Sequence, residues 1–117
     1  MEQVVEVYQL MPDNIIRIHT GETGKKIEVL ADYKKEKHFS ARLTFSEANW
    51  LASELNSPHG INWKRLENQQ VLRIIRRNEF RQIVLSDIID GQEISAAPIG
   101  VILDEVLDRV IGALKTI

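Results

Sequence analysis

A cluster of turn-forming residues in the middle of the chain divides it into two halves of similar length. Residues 56–60 have the sequence Asn-Ser-Pro-His-Gly. Proline cannot continue a helix, and glycine permits backbone dihedral angles that other residues rarely adopt. Each half shows the same order of patterns, with short β-rich runs first and one helix last. Connections of hairpin length cannot cross over to a parallel strand, so this order indicates antiparallel sheets and the α+β class. We therefore expect one domain, residues 1–117, built from two antiparallel sheet-plus-helix repeats, about 1–57 and 62–117, packed through their helices.

The first half is predicted to contain four strands and a helix. The strands are expected at residues 4–10, 15–20, 26–33 and 38–44. The last two alternate apolar and polar residues, as in a sheet with one buried face. Thr44 and Glu47 have the spacing of a capping box, which predicts that a helix begins there. Its apolar side would consist of Ala48, Leu51, Ala52 and Leu55.

The second half is predicted to have one strand fewer. Residues 62–70 look like a polar connector, and strands are expected at 71–77, 80–85 and 93–97. Asp90-Gly91 is typical of a hairpin turn. A helix is predicted from Pro98, which suits a first helical turn, to about Lys115. Its apolar residues cover so much of the circumference that it should be buried on two sides, between the halves or against a second copy in a homodimer.

Composition excludes several classes of protein. The chain has no cysteine, which removes disulfides, thiolate metal sites and cysteine nucleophiles. No apolar run approaches the ~18 residues of a membrane span, and the acidic N-terminus does not resemble a secretory signal. We therefore expect a cytoplasmic protein with no membrane partner.

The net charge of −2 conceals an uneven distribution. Residues 17–81 contain 13 basic and 8 acidic side chains, whereas the segments on either side are acidic. Arginines on outward strand positions and lysines on loop tips (Lys25, Lys34, Lys35, Lys37) could follow a phosphate backbone. Trp63 stands in a polar, basic segment where it could stack on an unpaired base, and Tyr33 could do so unless it belongs to the core. The predicted nucleic-acid-binding residues are Arg17, Lys26, Tyr33, Lys35, Arg42, Trp63, Arg73, Arg77 and Arg81.

The strand-to-helix junction of the first half resembles a known family. The step from the last strand of the first half into its helix, marked by Leu43, Thr44, Glu47 and Trp50, resembles the end of a repeat in the Pur-alpha, Whirly and positive-cofactor-four group. Proteins of that group have a curved four-stranded antiparallel sheet followed by a helix, and two such units pair through their helices. The resemblance implies binding of single-stranded DNA or RNA by basic and aromatic residues of the sheet. The acidic pI and the missing strand of the second half depart from the family pattern.

Two other functions remain as alternatives. The chain could be a protein–protein interaction or assembly module that dimerises through its C-terminal helix. A metal-dependent nuclease using Glu28, Asp32 and Lys26 is a weaker hypothesis, as is a metal site formed by His19, His38 and Asp32. Neither has the spacing of a known metal motif. We predict a binding protein that is not an enzyme, with no cofactor and no metal.

Overall fold

Two antiparallel sheets and two helices form the described part of the chain. The computed structural model describes residues 3–9, 14–31, 37–58, 60–94 and 99–115. Sheet 1 contains strands β1 (Gln3–Gln9), β2 (Asn14–Thr20), β3 (Gly24–Ala31) and β4 (Lys37–Thr44), and helix α1 (Phe45–Leu55) follows. Sheet 2 contains strands β5 (Ile61–Arg65), β6 (Gln70–Arg76), β7 (Phe80–Ile89), β8 (Gln92–Ile94) and β9 (Ile99–Leu103). A 3-10 turn (Asp104–Val106) leads into helix α2 (Leu107–Lys115). The α+β class is confirmed.

Sheet 1 is an antiparallel meander with strands in chain order. Val7 pairs with Ile16, Ile16 with Val29, and Val29 with Phe39, which makes one apolar row across all four strands. All four side chains are buried. The alternation read from the third and fourth strands is therefore confirmed, and it sets one face of sheet 1 against the core.

Helix α1 begins as the sequence predicts. The Glu47 backbone N–H donates to the Thr44 hydroxyl at 3.1 Å, and the Thr44 N–H donates to the Glu47 carboxylate at 2.9 Å. This reciprocal pair satisfies two N–H groups that have no partner within the helix. The predicted apolar side is also confirmed, since Ala48, Leu51, Ala52 and Leu55 are buried.

Sheet 2 has a long central strand, β7. Strand β6 pairs with one edge of β7, whereas β8 and β9 pair with the other edge at residues 87–89 and 80–84. Asp90 and Gly91 both have positive φ, 52° and 77°, as the two-residue hairpin between β7 and β8 requires. The hairpin predicted from Asp90-Gly91 is confirmed.

Three predictions for the second half were wrong. The second half does not have one strand fewer than the first, because the described part of sheet 2 contains five strands and that of sheet 1 four. Residues 62–70 are not only a connector, because they include most of β5, whose side chains alternate unusually: Trp63 faces outward and Lys64 faces the interior side. The predicted helix from Pro98 is replaced at its start by β9 and begins only at Leu107. In β9 the apolar residues alternate with period two, and Ile102 is fully buried. The strand expected at 93–97 is described only to Ile94, and the remaining positions and Pro98 lie outside the described residues.

The core is shared by the two halves. One buried cluster contains residues of both sheets and both helices. Helix α1 contacts α2, β3 and β4, and α2 also contacts β1 and β2 of the other half. Each half has fewer than 60 residues, a size at which a domain is marginal alone, and the shared core adds to the apolar surface that both bury.

Two buried polar side chains join the halves. Gln9 of β1 donates to the Val101 carbonyl at 2.8 Å and accepts from the Leu103 N–H at 2.6 Å, so its amide pairs with the free edge of β9. Arg81 of β7 donates to the Leu55 carbonyl at 3.2 Å and to Asp104 at 2.8 Å. Burial makes these bonds costly to lose, because an unpaired group would remain in the interior.

Neither α1 nor α2, the helices of the described part of the chain, has the length and apolar character needed to cross a membrane.

Gly100 lies where the inner faces of the two sheets approach closely, and a substitution there tests this packing. A Cβ at this position would lie 2.9 Å from Cγ1 of Ile83 and 3.0 Å from Cγ2 of Val29. We expect Gly100→Ala to reduce the free energy of unfolding in urea by about 1–3 kcal/mol, through overpacking. The control is Gly112→Ala, since a Cβ on this exposed residue of α2 meets no atom within 4 Å. It should stabilise the protein by ~0.5–1 kcal/mol. Equal effects of the two substitutions would contradict the close approach.

Candidate functional site

The outer face of sheet 1 carries polar residues in two rows across the strands. In the first row Glu6 pairs with Arg17, Arg17 with Glu28, and Glu28 with Ser40. The Arg17 guanidinium donates to Glu6 at 2.6 Å, and this hydrogen bond raises the pKa of Arg17 above its usual value. The first row is therefore an ordinary alternation of opposite charges.

The second row is basic. His19 of β2 pairs with Lys26 of β3, and Lys26 pairs with Arg42 of β4, so three basic residues lie side by side on neighbouring strands. Nε2 of His19 lies 2.5 Å from one oxygen of Glu28, and Nζ of Lys26 lies 3.9 Å from the other. Arg42 is exposed. We call these three residues the basic row (His19, Lys26, Arg42). Lys26 and Arg42 are like charges directly opposite one another, an arrangement that is unfavourable in a sheet and that Glu28 offsets in part.

The basic row borders an open cleft of about 690 Å³. The turn between β2 and β3 forms one wall, and the start of α1 with the β5–β6 loop forms the other. Glu47 fixes the second wall, because its carboxylate accepts from the Glu67 backbone N–H at 2.8 Å while it caps α1. The Asn68 amide lies 3.5 Å from the Arg42 carbonyl, which holds the same loop against β4.

Basic groups continue beyond the cleft onto β5. A neighbouring hollow of about 710 Å³ shares Glu47 and Glu67 with the cleft and is also lined by Lys64 and Arg65. Nζ of Lys64 lies 5.9 Å from the ring centre of Trp50, a cation–π contact that orients the lysine. The sequence prediction did not include Lys64 or Arg65, although both follow Trp63 directly.

The structure divides the predicted binding residues between the two sheets. Lys26 and Arg42 lie in the basic row, and Arg17 lies beside it in its pair with Glu6. Trp63, 64% exposed, and Arg73 lie on the outer face of sheet 2. Tyr33 and Lys35 lie outside the described residues.

The arginines of sheet 2 already have partners. Arg73 binds both oxygens of the Glu93 carboxylate, with Nη2 donating at 2.7 Å. This pair raises the pKa of Arg73 and lowers that of Glu93. Arg77 is exposed and donates to Gln82 at 2.8 Å. Arg81 does not face outward as expected: it is 6% exposed and joins β7 to α1 and Asp104.

Lys25 does not lie on a loop tip as expected. It is 4% exposed, and its ammonium donates to the Ala113 carbonyl near the end of α2 at 2.5 Å. Burial lowers its pKa because the charged form loses hydration. The signal was present in the sequence, since Lys25 shares the inward parity of Ile27 and Val29.

The described residues give no support to the alternative metal sites or to a dimer through the C-terminal helix. Within residues 3–9, 14–31, 37–58, 60–94 and 99–115, no three His, Asp or Glu residues are close enough together to hold a metal ion. Asp32 and the side chain of His38 lie outside that part, so the metal sites that include them stay hypotheses. Helix α2 buries Leu107, Val110, Ala113 and Leu114 within its own chain, and the predicted dimer through this helix stays a hypothesis.

Comparison with known proteins gives no relative. No protein-family model, no curated protein and no solved structure matches the chain.

The buried position of Lys25 predicts a pH dependence of stability. Because its folded-state pKa is lowered, the unfolded chain binds more protons between that pKa and the ordinary lysine value of about 10.4. Stability contributed by Lys25 is therefore gained as the pH rises through this window. We expect the difference in free energy of unfolding between wild type and Lys25→Met to increase with pH in urea denaturation. A difference that stays constant or falls would contradict the burial of a charged Lys25.

Proposed function

We propose that the protein binds single-stranded nucleic acid through the basic row and the adjoining cleft, as a binding protein and not as an enzyme. The observation that carries the proposal is the register of His19, Lys26 and Arg42, which puts three basic side chains next to one another on an open sheet face. The like charges of Lys26 and Arg42 repel each other in the free protein, and an anion lying across them relieves that repulsion. A phosphate backbone supplies anions at regular intervals.

The shape of the surface favours a single strand over a duplex. The cleft runs between the β2–β3 turn and the β5–β6 loop, and the basic groups continue to Lys64 and Arg65. A flexible single strand can follow a positively charged groove between two loops, whereas a duplex is a stiff rod. The strand would therefore cross from sheet 1 over the start of α1 to β5.

The proposal retains part of the predicted site. Lys26 and Arg42 would contact phosphates, with His19 beside them and Lys64 and Arg65 added. Arg17 and Arg73 are hydrogen-bonded to Glu6 and Glu93, so they would contribute less. The ammonium of Lys26 lies 3.9 Å from Glu28, beyond hydrogen-bond distance, and Arg42 is exposed. The contact between α1 and α2 supports the proposal that residues 1–57 and 62–117 are two repeats packed through their helices.

Salt dependence tests the proposed phosphate contacts. We expect a fluorescently labelled single-stranded oligonucleotide to bind in anisotropy measurements, with an affinity that falls as salt rises. For Lys26→Gln/Arg42→Gln we expect weaker binding and a plot of log K against log[salt] that is shallower by about 0.7 for each phosphate that the variant no longer neutralises.

The control is Arg76→Gln/Arg109→Gln, which removes the same charge from two exposed arginines at the end of β6 and on α2. It should leave the slope unchanged. An equal decrease in affinity in both double variants, or binding that does not respond to salt, would contradict the proposed site. A duplex of equal length that binds as tightly would contradict the single-strand preference.

A further inference from the structure

The β5–β6 loop carries an acidic side chain between two groups of cations. Glu67 of this loop is exposed, and it lines both the cleft and the neighbouring hollow. Lys26 and Arg42 line the cleft, whereas Lys64 and Arg65 line the hollow. A nucleic-acid strand that passes from one group of cations to the other therefore passes Glu67.

Backbone hydrogen bonds hold this loop in place. The Leu66 N–H donates to the Gln70 carbonyl at 2.7 Å and closes the loop on itself. The Glu67 N–H donates to the Glu47 carboxylate at 2.8 Å and ties the loop to the start of α1. These bonds fix the backbone that carries the Glu67 side chain, so a ligand meets a loop that is already ordered and pays less to bind there.

The loop offers hydrogen-bond acceptors that the protein itself does not use. Among the described residues, none forms a hydrogen bond or an ion pair with the Glu67 carboxylate. The Asn68 amide nitrogen donates to the side-chain oxygen of Gln70 at 2.7 Å, which leaves the Asn68 amide oxygen as an acceptor that borders the cleft. Glu47 differs from Glu67, because its oxygens accept the N–H groups of Thr44 and Glu67.

A free carboxylate on the path of a nucleic-acid strand favours a base at that point over a phosphate. The Glu67 carboxylate repels phosphate, so the phosphates would lie on the cations on either side while a base faces the loop. The bases of a single strand expose their pairing edges. The amino group of cytosine donates to a carboxylate, whereas the N–H of uracil or thymine lies between two carbonyl oxygens that a carboxylate repels.

We infer that Glu67, with Asn68 beside it, makes the site prefer cytosine over uracil and thymine at the point where the strand crosses the β5–β6 loop. The inference rests on the proposed function, because it concerns the same strand in the same cleft. It adds a position that reads a base to a site built from phosphate contacts, which carry no sequence information. Glu67 is thus a specificity-determining residue, and the basic row supplies the affinity.

Fluorescence anisotropy with oligo(dC) and oligo(dU) of equal length tests the inference. The two probes carry the same charge and differ at the pairing edge, where cytosine has an amino group and uracil a carbonyl. We expect the wild type to bind oligo(dC) more tightly by about fivefold or more, the lower end of what a base contact provides. Glu67→Gln should bring the ratio of affinities close to one, because an amide both donates and accepts. Slightly alkaline buffer keeps cytosine unprotonated.

The matched control is Glu79→Gln, which removes the same charge from an exposed glutamate in the turn between β6 and β7. It should keep the wild-type ratio, and circular dichroism melting checks that both variants are folded. Equal affinity of the wild type for the two probes, or an equal change of the ratio in Glu67→Gln and Glu79→Gln, would overturn the inference and leave salt-dependent binding intact. Absence of binding to either probe at low salt would overturn the proposed function, and the inference with it.

Discussion

The Glu47 carboxylate is the interaction on which the geometry of the candidate site depends. One oxygen accepts the Thr44 N–H and starts α1, and the other accepts the Glu67 N–H from the β5–β6 loop of the other half. Each of these N–H groups would otherwise lack a partner at the end of an element, which makes the bonds to a charged acceptor worth more than ordinary ones. Glu47 therefore helps to set where the β5–β6 loop lies beside β4, and with it the width of the cleft.

The two halves also depend on each other for packing and hydrogen bonds in the interior of the protein. Helix α2 belongs to the second half but packs on β1 and β2, and Gln9 of the first half completes the edge of β9. A domain of under 60 residues is marginal because it buries a small share of its apolar surface against the entropy lost on folding, and the shared core increases that burial. Buried polar groups at the junction also fix the relative orientation of the halves. Gln9 and Arg81 form all of these hydrogen bonds only when the halves lie in one arrangement.

The sequence predicted the first half well and the second half less well, for identifiable reasons. In β3, β4 and α1 the apolar period and the capping box agree with the tertiary structure, so local reasoning succeeds. In β5 the exposed side chains are Ile61, Trp63 and Arg65 whereas Lys64 faces the interior side, so the usual rule that apolar residues point inward misleads. In β9 a short apolar run adjoins a true helix, and periodicity alone does not separate the two. The division of charge was visible in the sequence, but the pairing of Arg17 and Arg73 with acids depends on register, which the sequence did not reveal.

The two sheets thus present different outer faces: that of sheet 1 carries the basic row, and that of sheet 2 exposes Ile61, Trp63 and Ile99 beside arginines. We propose that the basic row and the cleft bind single-stranded nucleic acid. A titration of the ¹⁵N-labelled protein with a single-stranded oligonucleotide, followed by two-dimensional NMR, tests this most directly. We expect the largest shift changes to fall on His19, Lys26 and Arg42 and on the β5–β6 loop. Shift changes confined to the outer face of sheet 2, or none at low salt, would contradict the proposed function.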